Sequence, residues 1–132
     1  MTADEKVLNA LREGTLHLIN FNPSTIVVQR VEYAADGAGG RIPLGPAAQP
    51  PFVGRLQPII NNRQEDSLAE DAGVEQRATH ALICPHSASI AASSEVQDAF
   101  TLQGVTYEVQ RVVIRNYKGQ PYKVTAALQV VS

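Results

Sequence analysis

The stretch at residues 105–131, VTYEVQRVVIRNYKGQPYKVTAALQVV, constrains the fold more than any other. Val105, Tyr107 and Val109 alternate with polar residues, Lys118-Gly119 interrupts the run, and Tyr122 and Val124 resume it. Apolar residues at every second position put one side of a strand against a core, and a glycine-containing pair between two such runs marks a hairpin. The chain therefore ends in two long antiparallel strands, and the residues before them have to complete a sheet. Residues 98–104, DAFTLQG, read as a shorter strand turning at Gly104. In this stretch Asp98 reads as a strand-entry residue rather than a general base, because no nucleophile accompanies it. Tyr107 and Val109 are expected to pack the core, and Arg111 is expected on an outward face.

Bulk properties narrow the class. A chain of 132 residues suits one domain, residues 1–132, and a hydrophobic content of 44% is enough for a real core. The net charge of −2 and isoelectric point near 5.9 give no global field for nucleic acid or an acidic membrane. Cys84 is the only cysteine, so no internal disulfide can form and a reducing compartment is permitted. The N-terminal MTADEKVLNALREG lacks the apolar stretch of a signal peptide, and no run approaches the roughly twenty apolar residues of a membrane span. The expectation is a soluble, cytoplasmic chain.

Thr2 and Glu5 have the spacing of a capping box, in which each side chain satisfies the other's orphan backbone donor. Val7, Leu8 and Leu11 share one helical face and Leu18 continues it, predicting a helix over about residues 3–19. A helix stopping at Glu13 is the alternative, since Gly14 costs about 1 kcal/mol relative to alanine inside a helix. Pro23 ends the segment by pushing Asn22 out of the α region. STIVVQRVEY, FVGRLQPII, RATHALICPH, AFTLQG, VTYEVQRVVIRNY and YKVTAALQVVS then read as strands, about six in all.

Two long segments interrupt them. Residues 34–51, AADGAGGRIPLGPAAQPP, hold four of the eight prolines and four of the nine glycines, a composition that cannot sustain a ladder and reads as a surface loop. Residues 61–76, NNRQEDSLAEDAGVEQ, form a second, acidic loop. One helix followed by these strands predicts a mainly β fold: a small antiparallel β-barrel or sandwich over about residues 24–131, with an N-terminal helix and two long loops. Loops of that length in a small domain are usually functional or disordered.

Chemistry-bearing residues are few. His80, Cys84 and His86 are zinc-compatible types, but residues 80 and 84 lie about 13 Å apart along an extended strand, too far for one ion. Cys84 has no helix N-terminus beside it to activate a thiolate. The glycines of DGAGG precede no helix and no Lys-Ser/Thr, so they make no phosphate loop, and the acids of 61–76 lack calcium-loop spacing. No catalytic, cofactor-binding or metal-binding residue is assigned, and no enzyme is expected. Arg111, Arg115, Lys118 and Lys123, interleaved with Tyr107, Tyr117 and Tyr122, leave a small nucleic-acid-binding β-barrel as an alternative.

The segment DAFTLQGVTYEVQRVVIRNYKGQPYKVTAALQVV resembles the C-terminal signature of the head–tail connector proteins of tailed bacteriophages, the head-completion (stopper, head-closure) and head–tail joining proteins of the siphophage neck. The matching positions are Asp98, Phe100, Gly104, Tyr107 and Val109, then Lys118-Gly119 and Leu128 to Val131. The early TIVVQRVEY strand, the Gly-rich loop, FVGRLQPI and the amphipathic helix follow the same order. Loop 34–51 and the ICPH segment have no counterpart in that pattern.

The resemblance implies a structural virion protein with no catalysis and no cofactor. It would form a ring, typically a dodecamer, between the portal and the tail. Its partners would be copies of itself, portal or adaptor proteins on the head side, a tail-completion protein on the tail side, and packaged double-stranded DNA in the channel, with no membrane. Its location would be the virion neck, after assembly in the host cytoplasm. A tail-completion or tail-terminator protein of the same neck is the nearest alternative. The two loops supply the expected assembly contacts: Asp36, Gly37, Gly39, Gly40, Arg41 and Pro43 in the first, and Glu65, Asp66, Glu70 and Asp71 in the second.

Overall fold

A computed structural model describes residues 2–35, 37–59, 78–93 and 95–131. Helix α1 (Ala3–Asn20) begins at the expected cap: the Glu5 amide donates to Thr2 Oγ1 at 3.2 Å, and the Thr2 amide donates to Glu5 Oε2 at 3.3 Å. The helix passes through Gly14 rather than stopping at Glu13. Gly14 is exposed with open space around it, so its effect is the propensity cost alone. Thr15 and Ile19 are the residues that α1 buries.

Nine strands follow among the described residues: β1 (Ser24–Ile26), β2 (Gln29–Ala35), β3 (Arg41–Pro43), β4 (Ala47–Ala48), β5 (Phe52–Pro58), β6 (His80–Cys84), β7 (Val96–Leu102), β8 (Val105–Tyr117) and β9 (Gln120–Val130). All described pairings are antiparallel, in the order β1-β5-β6-β9-β8-β7-β2-β3, with β4 also on β2. The fold is mainly β with an N-terminal helix, as the sequence predicts. All of the expected strands are present. The first is split at Val27-Val28, and two short ones lie inside the segment expected to be a loop.

The expected barrel does not close as one ladder, and the prolines supply the reason. Residues 24–35 and 41–54 form one long hairpin whose register slips by one residue between Ile26↔Phe52 and Gln29↔Ala48, and again before Tyr33↔Pro43. Amides of Gln49 and Leu44 donate to the carbonyls of Val28 (2.8 Å) and Glu32 (2.7 Å) across the gaps. Pro43, Pro46, Pro50 and Pro51 have no N–H to offer, so the ladder breaks into short pieces around them. Because β1 and β2 stand near opposite ends of the strand order but are adjacent in sequence, the sheet has to curl back on itself.

Both terminal hairpin turns follow from backbone handedness. Gln103-Gly104 and Lys118-Gly119 place both turn residues at positive φ (52° and 80°; 47° and 81°), the geometry that matches the twist of paired strands. The concave side encloses Ile26, Val28, Leu82, Cys84, Phe100, Tyr107, Val109, Val124, Ala126 and Leu128. Helix α1 packs against β9, β5 and β6, with Thr15 Oγ1 donating to the Tyr122 carbonyl (3.1 Å) and Arg12 Nε to that of Pro121 (3.0 Å). Ala81, Ile83 and Ala127 alternate with core residues along their strands and are buried on the opposite face.

One irregularity changes which residues of β8 face which side. Val109 pairs with Leu128 and Arg111 with Ala127, leaving Gln110 as an extra residue in a bulge. Past the bulge, Val112 opposes the core residue Ala126, and Arg111 and Val113 turn to the other face. Phe100 is almost fully buried and stacks on Tyr107 with ring centroids 5.2 Å apart. Replacing Phe100 by alanine should therefore lower the unfolding free energy by about 3–5 kcal/mol in urea denaturation.

Candidate assembly surface

The hairpin of residues 24–54 has two unlike halves. Its base lies in the sheet: β2 pairs with β7 through Gln29↔Ala99, Arg30↔Asp98, Val31↔Gln97 and Glu32↔Val96, and the Tyr33 amide donates to the Glu95 carbonyl at 2.9 Å. Beyond that bond, no strand among the described residues pairs with either outer edge of the hairpin. What projects is a two-stranded arm in which Tyr33 opposes Pro43, Ala34 opposes Ile42 and Ala35 opposes Arg41. Tyr33, Ile42 and Leu44 are 36%, 52% and 48% exposed. An isolated two-stranded hairpin is marginal in water, so this arm depends on its anchored base.

That anchor is a buried charge pair. Asp98 is completely buried, and Arg30 grips it through Nε to Oδ1 (2.8 Å) and a terminal nitrogen to Oδ2 (2.9 Å). The Ala91 amide adds a third donor at 2.7 Å, tying the segment before β7 to the same carboxylate. Hydrogen bonding to Asp98 pushes the Arg30 guanidinium above its ordinary range. Asp98 is thus a mid-strand, fully engaged structural acid, not the strand-entry residue expected. Only the pairing with Arg30 reveals its role.

The expected contact residues divide. Gly37 and Gly39 lie at the tip of the arm with φ of +82° and +86° and open space around them, Gly40 follows them, and Arg41 and Pro43 are paired residues of β3. Segment 34–51 is therefore partly paired, a correction to the loop reading: a strand needs only a few donors, and Ile42, Leu44, Ala47, Ala48 and Gln49 supply what the prolines cannot. Asp36, Glu65, Asp66, Glu70 and Asp71 lie outside the described residues. Tyr33, Ile42 and Leu44 were not foreseen. The signal for Ile42 and Leu44 is their apolar character within a Pro/Gly-rich stretch, and for Tyr33 its place at the end of a strand.

The remaining candidates are accounted for by packing. Cys84 is fully buried, its sulfur 3.8 Å from the Leu82 carbonyl, and burial pushes its thiol far above the ordinary range. His80 shares a strand face with it but packs edge-on against Tyr107, at 5.1 Å between centroids. His86 stands beyond the strand end, in the turn after Pro85. Arg111 lies on the face away from the core, as expected, but it is covered there, being only 7% exposed. Lys118 is engaged by Asp4 at 2.9 Å, a bond that holds the Asp4 carboxyl below its usual range. With Tyr107 and Arg111 buried, the basic, tyrosine-rich hairpin presents less of a stacking surface than its sequence suggested. No helix among the described residues is long and apolar enough to cross a membrane.

No protein-family model matches the chain, and no curated protein matches it.

Two outcomes follow from this geometry. Asp98→Ala leaves the Arg30 guanidinium and the Ala91 amide without their acceptor, and should destabilise by about 3–5 kcal/mol in urea titrations. His86 is held below the ordinary imidazole range by burial and then by the nearby Arg12 charge. A depressed histidine favours the native state above its unfolded pKa, and that advantage is lost as pH falls toward the folded value. Urea midpoints should therefore decline between about pH 7 and about pH 5, with His86→Gln flattening part of the decline.

Proposed function

We propose that this chain is a structural subunit of a tailed-phage neck, forming a ring between portal and tail and presenting the projecting arm to its neighbours. The observation that carries the proposal is the arm itself: paired residues 33–35 and 41–43 with exposed Tyr33, Ile42 and Leu44, fixed at its base and uncovered at its end. A soluble monomer gains little from holding such a strand pair out in water, whereas a subunit of a ring needs a surface that fits a different surface on the next copy. The sequence resemblance to connector proteins adds the order of elements, from the amphipathic helix to the final hairpin. Nothing in the reading requires catalysis. The subunit extends the channel through which packaged DNA passes, helps to retain that DNA, and offers the tail a docking surface.

The test is direct assembly. Purified protein mixed with portal should add a ring in negative-stain images, and Ile42→Asp with Leu44→Asp should abolish that ring. The same pair of exposed substitutions should leave monomer stability within about 0.5 kcal/mol per site. Absence of a ring with the wild-type chain would refute the reading.

A further inference from the structure

Arg111 is the one buried charge in the described residues that the fold leaves unanswered. It follows the bulge at Gln110 and faces away from the main core, opposite Ala127. The residue is 7% exposed, and its Nε is buried without a hydrogen-bond partner. No described residue forms a hydrogen bond or ion pair with the guanidinium, and the described acids nearby in the sequence or fold are otherwise engaged. Glu108, on the same strand, accepts from Gln110 at 3.3 Å. Asp98 is saturated by Arg30 and Ala91, and Asp4 is held by Lys118.

A guanidinium almost wholly covered without a counter-charge is costly, and native structures rarely retain one without reason. An unpaired buried charge costs far more than a surface ion pair returns, so the missing partner matters more than any surface ion pair. The same chain also has exposed carboxylates to spare: Glu13 on α1 and Glu95 before β7 are exposed and form no ion pair with a described residue. A spare buried cation and spare exposed acids on one subunit are complementary between copies in a head-to-tail contact, the kind that closes into a ring.

We propose that Arg111 is a carboxylate-binding site completed by assembly, receiving an aspartate or glutamate from a second copy of this chain. The incoming carboxylate accepts from the two terminal nitrogens, the atoms of the guanidinium that are not sealed from solvent, in a two-pronged geometry natural to arginine. This rests on the ring reading, and it adds where the charge of the interface is placed.

The test compares wild type with Arg111→Met and Arg111→Lys, by thermal unfolding of the monomer and by sedimentation over rising concentration, alone and with portal. Methionine keeps the stem's packing and removes the uncompensated charge. The Met monomer should melt no lower than wild type, while its assembly weakens by at least about thirtyfold. Lysine, which retains charge but not the fork, should weaken assembly to an intermediate degree. If wild type and Arg111→Met assemble equally well, this inference is wrong and the ring reading stands. A Met monomer that melts several degrees lower would place the role of Arg111 within the subunit and overturn the inference. Wild-type protein that stays monomeric under all conditions would remove the ring reading itself.

Discussion

The structure depends on how one buried carboxylate is satisfied. Asp98 takes two bonds from Arg30, 68 positions away, and one from the Ala91 amide just before its own strand, and these join β2 to β7 and to the segment leading into it. On one side lies the hairpin of residues 24–54, on the other the meander of β7, β8 and β9, and between them a ladder that runs only from Gln29 to Glu32. So short a ladder gives weak register on its own. A slip of one residue would carry Arg30 to the wrong face and leave Asp98 buried and unpaired, at a cost larger than the ladder could offset. The pair therefore acts as a register lock, and it sets the direction in which the arm beyond Tyr33 leaves the sheet.

From that lock the division of labour follows. The concave core of Leu82, Cys84, Phe100, Tyr107, Val109, Ala126 and Leu128 holds β6 to β9 together, and α1 covers the opposite face of β9, β6 and β5. Among the residues that core packing does not use are the arm's Tyr33, Ile42 and Leu44 and the unpaired Arg111. They differ in chemistry, one set apolar and exposed, the other a charge and buried. Neither adds to the stability of a lone subunit, and both fit the neighbour proposed above.

The parts legible in the sequence are those governed by a fixed period or a local rule. The terminal hairpin was readable because alternation runs unbroken from Val105 to Val109 and the Lys118-Gly119 turn accepts positive φ. The helix was readable from Thr2, Glu5 and its apolar stripe. Arg111 stands on the face away from the core, as expected, because the bulge at Gln110 shifts the phase, but no local pattern announces that this face is covered there. The strands β3 and β4 were hidden because a proline-rich composition describes average behaviour, whereas pairing needs only the few residues that retain an N–H. Asp98 was seen, but its meaning is a cross-strand partner 68 positions away, which local pattern cannot supply.

The central claim is that this fold is a scaffold holding an arm for another subunit to cover. Hydrogen exchange on the arm amides of residues 34, 35, 37–42 and 44, measured on the free protein and on the assembled ring, tests it most directly. In the free chain these amides should exchange quickly, well ahead of β8 and β9, and in the ring they should become protected along with the core. Arm amides that exchange equally fast in both states would contradict the claim.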